Sequence, residues 1–223
     1  MESMTKTRYT AVIWDLDGTL LDTLEDLCLA VNHALRAFGE PERPMADIRL
    51  FAGNGVRRLV ALSTPGGEEH PRFEDIFRCF KDYYVEHCSD HTGLYPGMKE
   101  TLRALHAKGY RMAVVSNKLQ AGVDELYREH FSDTVELAVG ERPGVPRKPA
   151  PDMVTGALRE MGVAPSQAVY IGDSEVDLAT ARNAGLDCIT VLWGFRDREW
   201  LEKQGARTFA GRPEDIVRLL TQD

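Results

Sequence analysis

The strongest constraint on the fold is a repeated pattern: short apolar runs that stop on polar residues, with segments of helical periodicity between them. The runs are 11–14 (AVIW), 111–115 (RMAVV), 135–139 (VELAV), 168–171 (AVYI) and 188–192 (CITVL). Segments 102–108, 123–130, 151–161 and 176–184 carry apolar residues three and four apart, often with a glycine soon after, at Gly109, Gly162 and Gly185. Runs this continuously apolar suit strands buried on both faces. Strands alternating with helices predict an α/β fold, a doubly wound parallel sheet covered by helices on both sides.

The stretch from Asp22 to about Tyr95 breaks that rhythm. It holds no clear strand, but 24–38 and 73–87 read as long amphipathic helices, with a shorter one over 56–62. PERP (41–44) and TPGGEEHP (64–71) are turn sequences inside it, and TGLYPG (92–97) reads as the hinge back to the sheet. The expected organisation is a core domain of residues 1–21 and 97–223 with an all-helical domain, 22–96, inserted after the first strand.

Composition narrows the function classes. A formal charge of −8 disfavours nonspecific attraction to nucleic acid, which depends on Lys and Arg neutralising phosphates. No apolar stretch approaches the roughly 20 residues that cross a bilayer. MESMTKTRY at the amino terminus has no apolar h-region, so cytoplasmic localisation is expected. The four cysteines, Cys28, Cys79, Cys88 and Cys188, include no CxxC pair and read as reduced thiols. None of the six histidines shows metal-ligand spacing, GNGVRR lacks the third glycine of a dinucleotide fingerprint, and GxxxxGK[ST] is absent.

In a doubly wound sheet, ligands bind outside the carboxyl ends of the strands, so the residues that follow each run should gather. They are Asp15 and Asp17 after the first run, Ser116 and Asn117 after the second, Lys148 before a proline-rich helix start, and Asp173 and Asp177 around the end of AVYI-G. Asp15 and Asp17 are two apart, and Gly18 permits a sharp turn directly after them. Carboxylates so close repel; an oxygen-preferring cation such as Mg²⁺ relieves that repulsion and can also coordinate a phosphate, with Asp173 as a further ligand. Each residue also has a plainer reading. Ser116 and Asn117 suit a helix cap, Asp177 suits a first helical turn, and Lys148 suits a solvated loop.

DLDGT, SN, RKPAP and GDSEVD, in this order, resemble the four signature motifs of the haloacid dehalogenase-like superfamily, and the match spans nearly the whole chain. The helical insertion after the first motif resembles the subgroup with a small helical cap, which includes phosphoglycolate phosphatases and phosphosugar mutases. The resemblance implies a Mg²⁺-dependent phosphatase in which Asp15 attacks phosphorus and Asp17 serves as proton donor and then base. It further implies that Ser116, Thr19 and the backbone at Asn117 hold the phosphoryl oxygens and that Lys148 balances charge. Asp15, the Asp17 carbonyl and Asp173 would bind the metal, with Asp177 behind them. FAGNGVRRL (51–59) resembles the substrate loop of the phosphoglycolate phosphatases: Gly55 allows close backbone approach, and Arg57 or Arg58 is the candidate partner for a substrate carboxylate. The segment 191–206 is given no catalytic role. The expected partner is a small phosphorylated metabolite, most of all 2-phosphoglycolate, with the protein a monomer or homodimer. A phosphosugar mutase and a pyrophosphatase are the enzyme alternatives. A phospho-acceptor signalling module is the non-enzyme one, disfavoured because Asp17 supplies the acid/base group that turnover needs.

Overall fold

The computed structural model describes residues 8–221. Its centre is β1 (Ala11–Trp14), four residues that all lie in the interior. This strand pairs in parallel with β4 (Arg111–Leu119) on one side and β6 (Ala168–Gly172) on the other. The sheet continues to β5 (Leu137–Glu141) beyond β4, and to β7 (Asp187–Val191) and β8 (Thr208–Ala210) beyond β6. All six strands are parallel and run in the order β5-β4-β1-β6-β7-β8, so the α/β class expected from the apolar runs is the observed one.

Alternation along the strands feeds two cores. Val12, Trp14, Val114 and Ile171 face Leu102 and Leu105 of α5 (Met98–Ala107), Leu126 of α6 (Gln120–His130) and Ile216 of α10 (Pro213–Thr221). Ala11, Ile13, Ala113 and Tyr170 face the other way, onto Met153 and Leu158 of α7 (Asp152–Glu160) and Ala181 of α8 (Glu175–Ala184). Full burial of each large aliphatic side chain contributes about 1.5–3 kcal/mol, which is why the central strands tolerate no polar residue until they reach the rim.

Between β2 (Leu21–Asp22) and β3 (Gly93–Leu94) the chain forms α1 (Leu24–Ala37), α2 (Met45–Phe51), α3 (Val56–Ser63) and α4 (Phe73–His87). These helices close on a hydrophobic cluster of their own, including Val31, Leu35, Ile48, Leu59, Ile76 and Phe80. β2 and β3 pair antiparallel, Leu21 opposite Leu94, so the two connections to the insertion run side by side. The buried Asp26 carboxylate fastens them: it accepts from the amides of His91 and Thr92 and from the Thr92 hydroxyl.

Several expectations shift. The run expected at 135–139 pairs two residues later, because Val135 and Glu136 are still leaving the turn after α6. The run at 111–115 continues to Leu119 past a register irregularity. α2 and the β2/β3 pair occupy ground read as loop and hinge, and β8 and α10 close the chain beyond the last strand expected. The cysteines carry no disulfide, and among the described residues no helix is long and apolar enough to cross a membrane.

Candidate active site

The carboxyl end of β1 carries Asp15, and the chain then turns back on itself: the amides of Leu20 and Leu21 donate to the Leu16 carbonyl. Gly18 makes the turn possible. Its φ is +83°, and a Cβ there would stand 2.6 Å from Asp173 Oδ2. The turn therefore carries Asp15 and Asp17 to the rim while Asp173, from the end of β6, packs against its backbone.

Lys148 organises the first half of the site. Its Nζ donates to Asp15 Oδ1 at 2.6 Å, to Asp177 Oδ1 at 2.9 Å and to the Tyr170 hydroxyl at 2.9 Å. Asp177 does double duty as the third residue of α8. Its Oδ2 accepts from the Ser174 amide and hydroxyl, closing a capping box, while its Oδ1 faces Lys148. The plain helix-cap reading and the functional one thus hold together for this residue. Asp173 Oδ1 accepts from the Thr19 hydroxyl at 3.2 Å, and its Oδ2 from the Phe195 amide at 2.7 Å.

Oxygens of Asp15, Asp173 and Asp177 lie within 4.8 Å of one another, all in buried side chains. Burial is the main force raising the Asp15 carboxyl well above its usual range, with the Asp177 charge adding to it and Lys148 opposing. Burial, then Asp177, pushes Asp173 up to about 7 against the Phe195 amide and Arg196. Burial alone would lower the Lys148 ammonium, but Asp15 and Asp177 outweigh it and hold Lys148 above its ordinary value. Three carboxylates against one ammonium leave an excess of buried negative charge, and all the spare donors are oxygens. That set fits a hard divalent cation.

Asp17 belongs to the second half. Its carboxylate is not part of the acidic cluster: Oδ2 accepts from Ser116 Oγ at 3.3 Å, and Oδ1 lies 3.4 Å from Lys118 Nζ. Ser116 Oγ also accepts the Lys118 amide. Asn117 spans the cleft, its Nδ2 donating to the Lys148 carbonyl at 3.1 Å and to the Gly53 carbonyl of the helical insertion at 3.4 Å. Asp15, Asp17, Ser116, Asn117, Lys118 and Lys148 share one cleft with Gly53, Gly55, Val56, Leu59 and Tyr84 of the insertion. A second cavity, about 610 Å³, opens at the opposite end of the strands and holds none of the strand-end acids.

Arg57 requires a correction. Its guanidinium turns away from the cleft, donating to Glu68 at 3.1 Å and Glu74 at 3.2 Å and lying over the Phe73 and Phe77 rings. Two acids on the same helical unit outcompete the expected role, and neither Arg57 nor Arg58 lines the cleft. The loop after β7, given no role from sequence, borders the site instead. Phe195 donates to Asp173 through its amide while its ring packs into the hydrophobic cluster of the insertion. Arg196 donates to the Arg49 and Ala52 carbonyls of the insertion and pairs with Glu175, and Arg49 donates back to the Gly194 carbonyl. WGFR follows an apolar run just as the other rim residues do, so the strand-end rule carried this signal. Lys118 was overlooked because it directly follows Ser116 and Asn117, where alternation alone assigns only some side chains to the cleft.

This geometry agrees with what the chain resembles. Residues 12–191 match the model of the haloacid dehalogenase-like hydrolase family. A phosphoglycolate phosphatase of Aquifex aeolicus is 32% identical over 216 residues, covering 94% of this chain and 95% of that protein. A plasmid-encoded phosphoglycolate phosphatase of Cupriavidus necator is 33% identical, covering 95% and 93%. A crystal structure from Lactobacillus delbrueckii subsp. bulgaricus, provisionally assigned as a phosphoglycolate phosphatase, superposes with a TM-score of 0.91 at 36% identity, covering 96% of this chain and all of that one. The chain belongs to the haloacid dehalogenase-like hydrolase family. It is an enzyme of the phosphatase kind.

Proposed function

We propose that this phosphatase acts in the cytoplasm on a small phosphate monoester, 2-phosphoglycolate first among them, through a phosphorylated Asp15. The observation that carries the reading is the unequal placement of two neighbouring carboxylates. Asp15 is fixed by Lys148 through one oxygen, whereas Asp17 stands beside Ser116 and Lys118. This difference supports giving Asp15 the bonding role and Asp17 the proton-moving one.

Asp15 attacks phosphorus through its second carboxylate oxygen as the bond to the leaving oxygen breaks, and Asp17 gives that oxygen its proton. Asp17 then takes a proton from water, which attacks the acyl phosphate, releasing inorganic phosphate and restoring Asp15. Ser116 and the backbone at Asn117 face the transferring group, with Thr19 holding Asp173 from behind. Lys148 opposes the burial that favours the neutral form of Asp15. Asp15 and Asp173 would hold Mg²⁺, whose charge offsets that of the phosphate oxygens. Asp177 orients Lys148 and keeps it off the reacting oxygen.

The relatives named as phosphoglycolate phosphatases support this choice of substrate. The test is phosphate release by the purified protein, with and without Mg²⁺, across 2-phosphoglycolate, pyrophosphate and hexose phosphates. The highest kcat/KM on 2-phosphoglycolate, lost on chelation, is the expected result. A higher value on pyrophosphate, or conversion of a hexose phosphate to its isomer without phosphate release, would replace this reading with the pyrophosphatase or mutase one.

A further inference from the structure

With Arg57 held by Glu68 and Glu74, the second charge of a substrate such as 2-phosphoglycolate needs another partner. Two cations line the cleft: Lys148, committed to Asp15 and Asp177, and Lys118. Lys118 lies at the end of β4 with its side chain only 2% exposed. Its stem runs close to Gly122, where a Cβ would stand 3.2 Å from Lys118 Cε. Its ammonium reaches the Tyr84 hydroxyl of the insertion, stands 4.4 Å from that ring's centre, and lies 3.4 Å from Asp17 Oδ1. An ammonium offers three donors, and these partners engage two of them.

Position then selects the ligand. To be protonated by Asp17, the leaving oxygen must come within hydrogen-bond reach of that carboxyl, which places it next to Lys118 as well. In 2-phosphoglycolate a single methylene separates that oxygen from the carboxylate. A charge so close to the leaving oxygen falls within reach of Lys118, which with Lys148 is one of the two cations lining the cleft among the described residues, while Arg147 stands at its edge beside Gly55.

We propose that Lys118 is the specificity-determining residue of the cleft, its ammonium pairing with a second anionic group that the substrate carries one carbon beyond the ester oxygen. The proposal rests on the phosphatase reading above and names the group that recognises its substrate. Because Tyr84 comes from the insertion and Lys118 from the sheet, recognition is completed only when the two walls of the cleft are in contact.

The experiment compares 2-phosphoglycolate with ethyl phosphate, which has the same reacting atoms and a methyl in place of the carboxylate. The quantity read is the ratio of their kcat/KM values in wild type, Lys118→Met, Lys118→Arg and Tyr84→Phe, with melting temperatures to confirm folding. Wild type prefers 2-phosphoglycolate, and Lys118→Met lowers that preference about 100-fold, chiefly through KM, because a buried charge pair has been removed. Lys118→Arg keeps most of the preference, and Tyr84→Phe, which loosens the ammonium without removing it, gives a loss of a few-fold. A preference that survives Lys118→Met overturns the role of Lys118 and leaves the substrate reading standing. Equal losses on both substrates assign Lys118 to Asp17 alone and also overturn it. Wild-type indifference between the two substrates overturns the substrate reading and the proposal together. Should Lys118→Met fail to fold, Lys118→Arg and Tyr84→Phe decide by the same ratio.

Discussion

The two walls of the cleft are made of different material. On the sheet side Lys148 is held by Asp15, Asp177 and Tyr170, and Asp173 by Thr19 and Phe195, partners distant in sequence. On the insertion side the lining is backbone and hydrocarbon, from Leu27, Ala52, Gly53, Gly55, Val56 and Leu59, with Tyr84 as its polar member. The proposed reacting groups thus sit on the wall whose geometry is over-determined, and the other wall contributes shape. Polar networks fix position only when nearly every member is satisfied, whereas an apolar wall can be resurfaced without leaving a buried charge unpaired.

The comparison can be broken most severely on the sheet side. Asp15→Asn removes the proposed nucleophile while keeping its size, and single-turnover and steady-state assays should show kcat falling by roughly 10⁴-fold or more with folding intact. Activity near wild type would remove Asp15 from the mechanism. Gly194→Ala comes next, because its Cβ would stand 2.4 Å from both the Asp173 Cβ and the Gly18 carbonyl. Overpacking of this kind costs about 1–3 kcal/mol, and calorimetry should find that destabilisation together with weaker direct binding of Mg²⁺.

Two arginines sharpen the contrast. Arg196 is buried and joins the sheet domain to the insertion, so Arg196→Ala removes the charged partner of Glu175 and the guanidinium held by two carbonyls, and should cost about 3 kcal/mol in chemical denaturation. Arg57 is over a third exposed, and its ion pairs stay within the insertion; Arg57→Ala should cost under about 1 kcal/mol and leave the preference for 2-phosphoglycolate over ethyl phosphate in place. Loss of that preference would return Arg57 to the recognition role first expected of it.

The smallest effect lies at the hinge. The hydrogen bond to Asp26 is the main cause raising the His91 value above its ordinary one, against slight burial. A group whose folded-state value is raised stabilises fully below its unfolded value, near about 6.5, and loses that contribution as pH rises through the folded one. Urea midpoints of wild type should therefore fall across that window relative to His91→Ala, and a constant difference from pH 5 to 9 would refute the linkage.

The sheet and the residues at its rim could be read from sequence for one reason: strands buried on both faces must be apolar until they emerge, so the polar residue after each run marks the rim. Asp15, Ser116 and Asp173 were found that way, and the structure gathers them. What escaped notice lacks periodic signal or depends on direction. Two-residue strands such as β2 and β3 are too short to alternate, and β8 has only three residues. Arg57 lies in α3 and pairs with Glu68 and Glu74, which approach it only once α3 and α4 have packed. Phe195 and Arg196 act largely through backbone and carbonyl contacts, which side-chain chemistry does not advertise.

The β2/β3 pair has a consequence for how such a molecule changes over generations. Leu21 and Leu94 are opposite one another, so the chain leaves the sheet domain and re-enters it at nearly the same point. Seen from the sheet, everything between them is a single long loop closed at its base, and loop length costs little once its ends are joined. Helices in that loop can lengthen, repack or acquire new surfaces while the register of β1 against β4 and β6 stays as it is. New substrates become accessible by rewriting one continuous gene segment, with the rim residues of the sheet inherited unchanged.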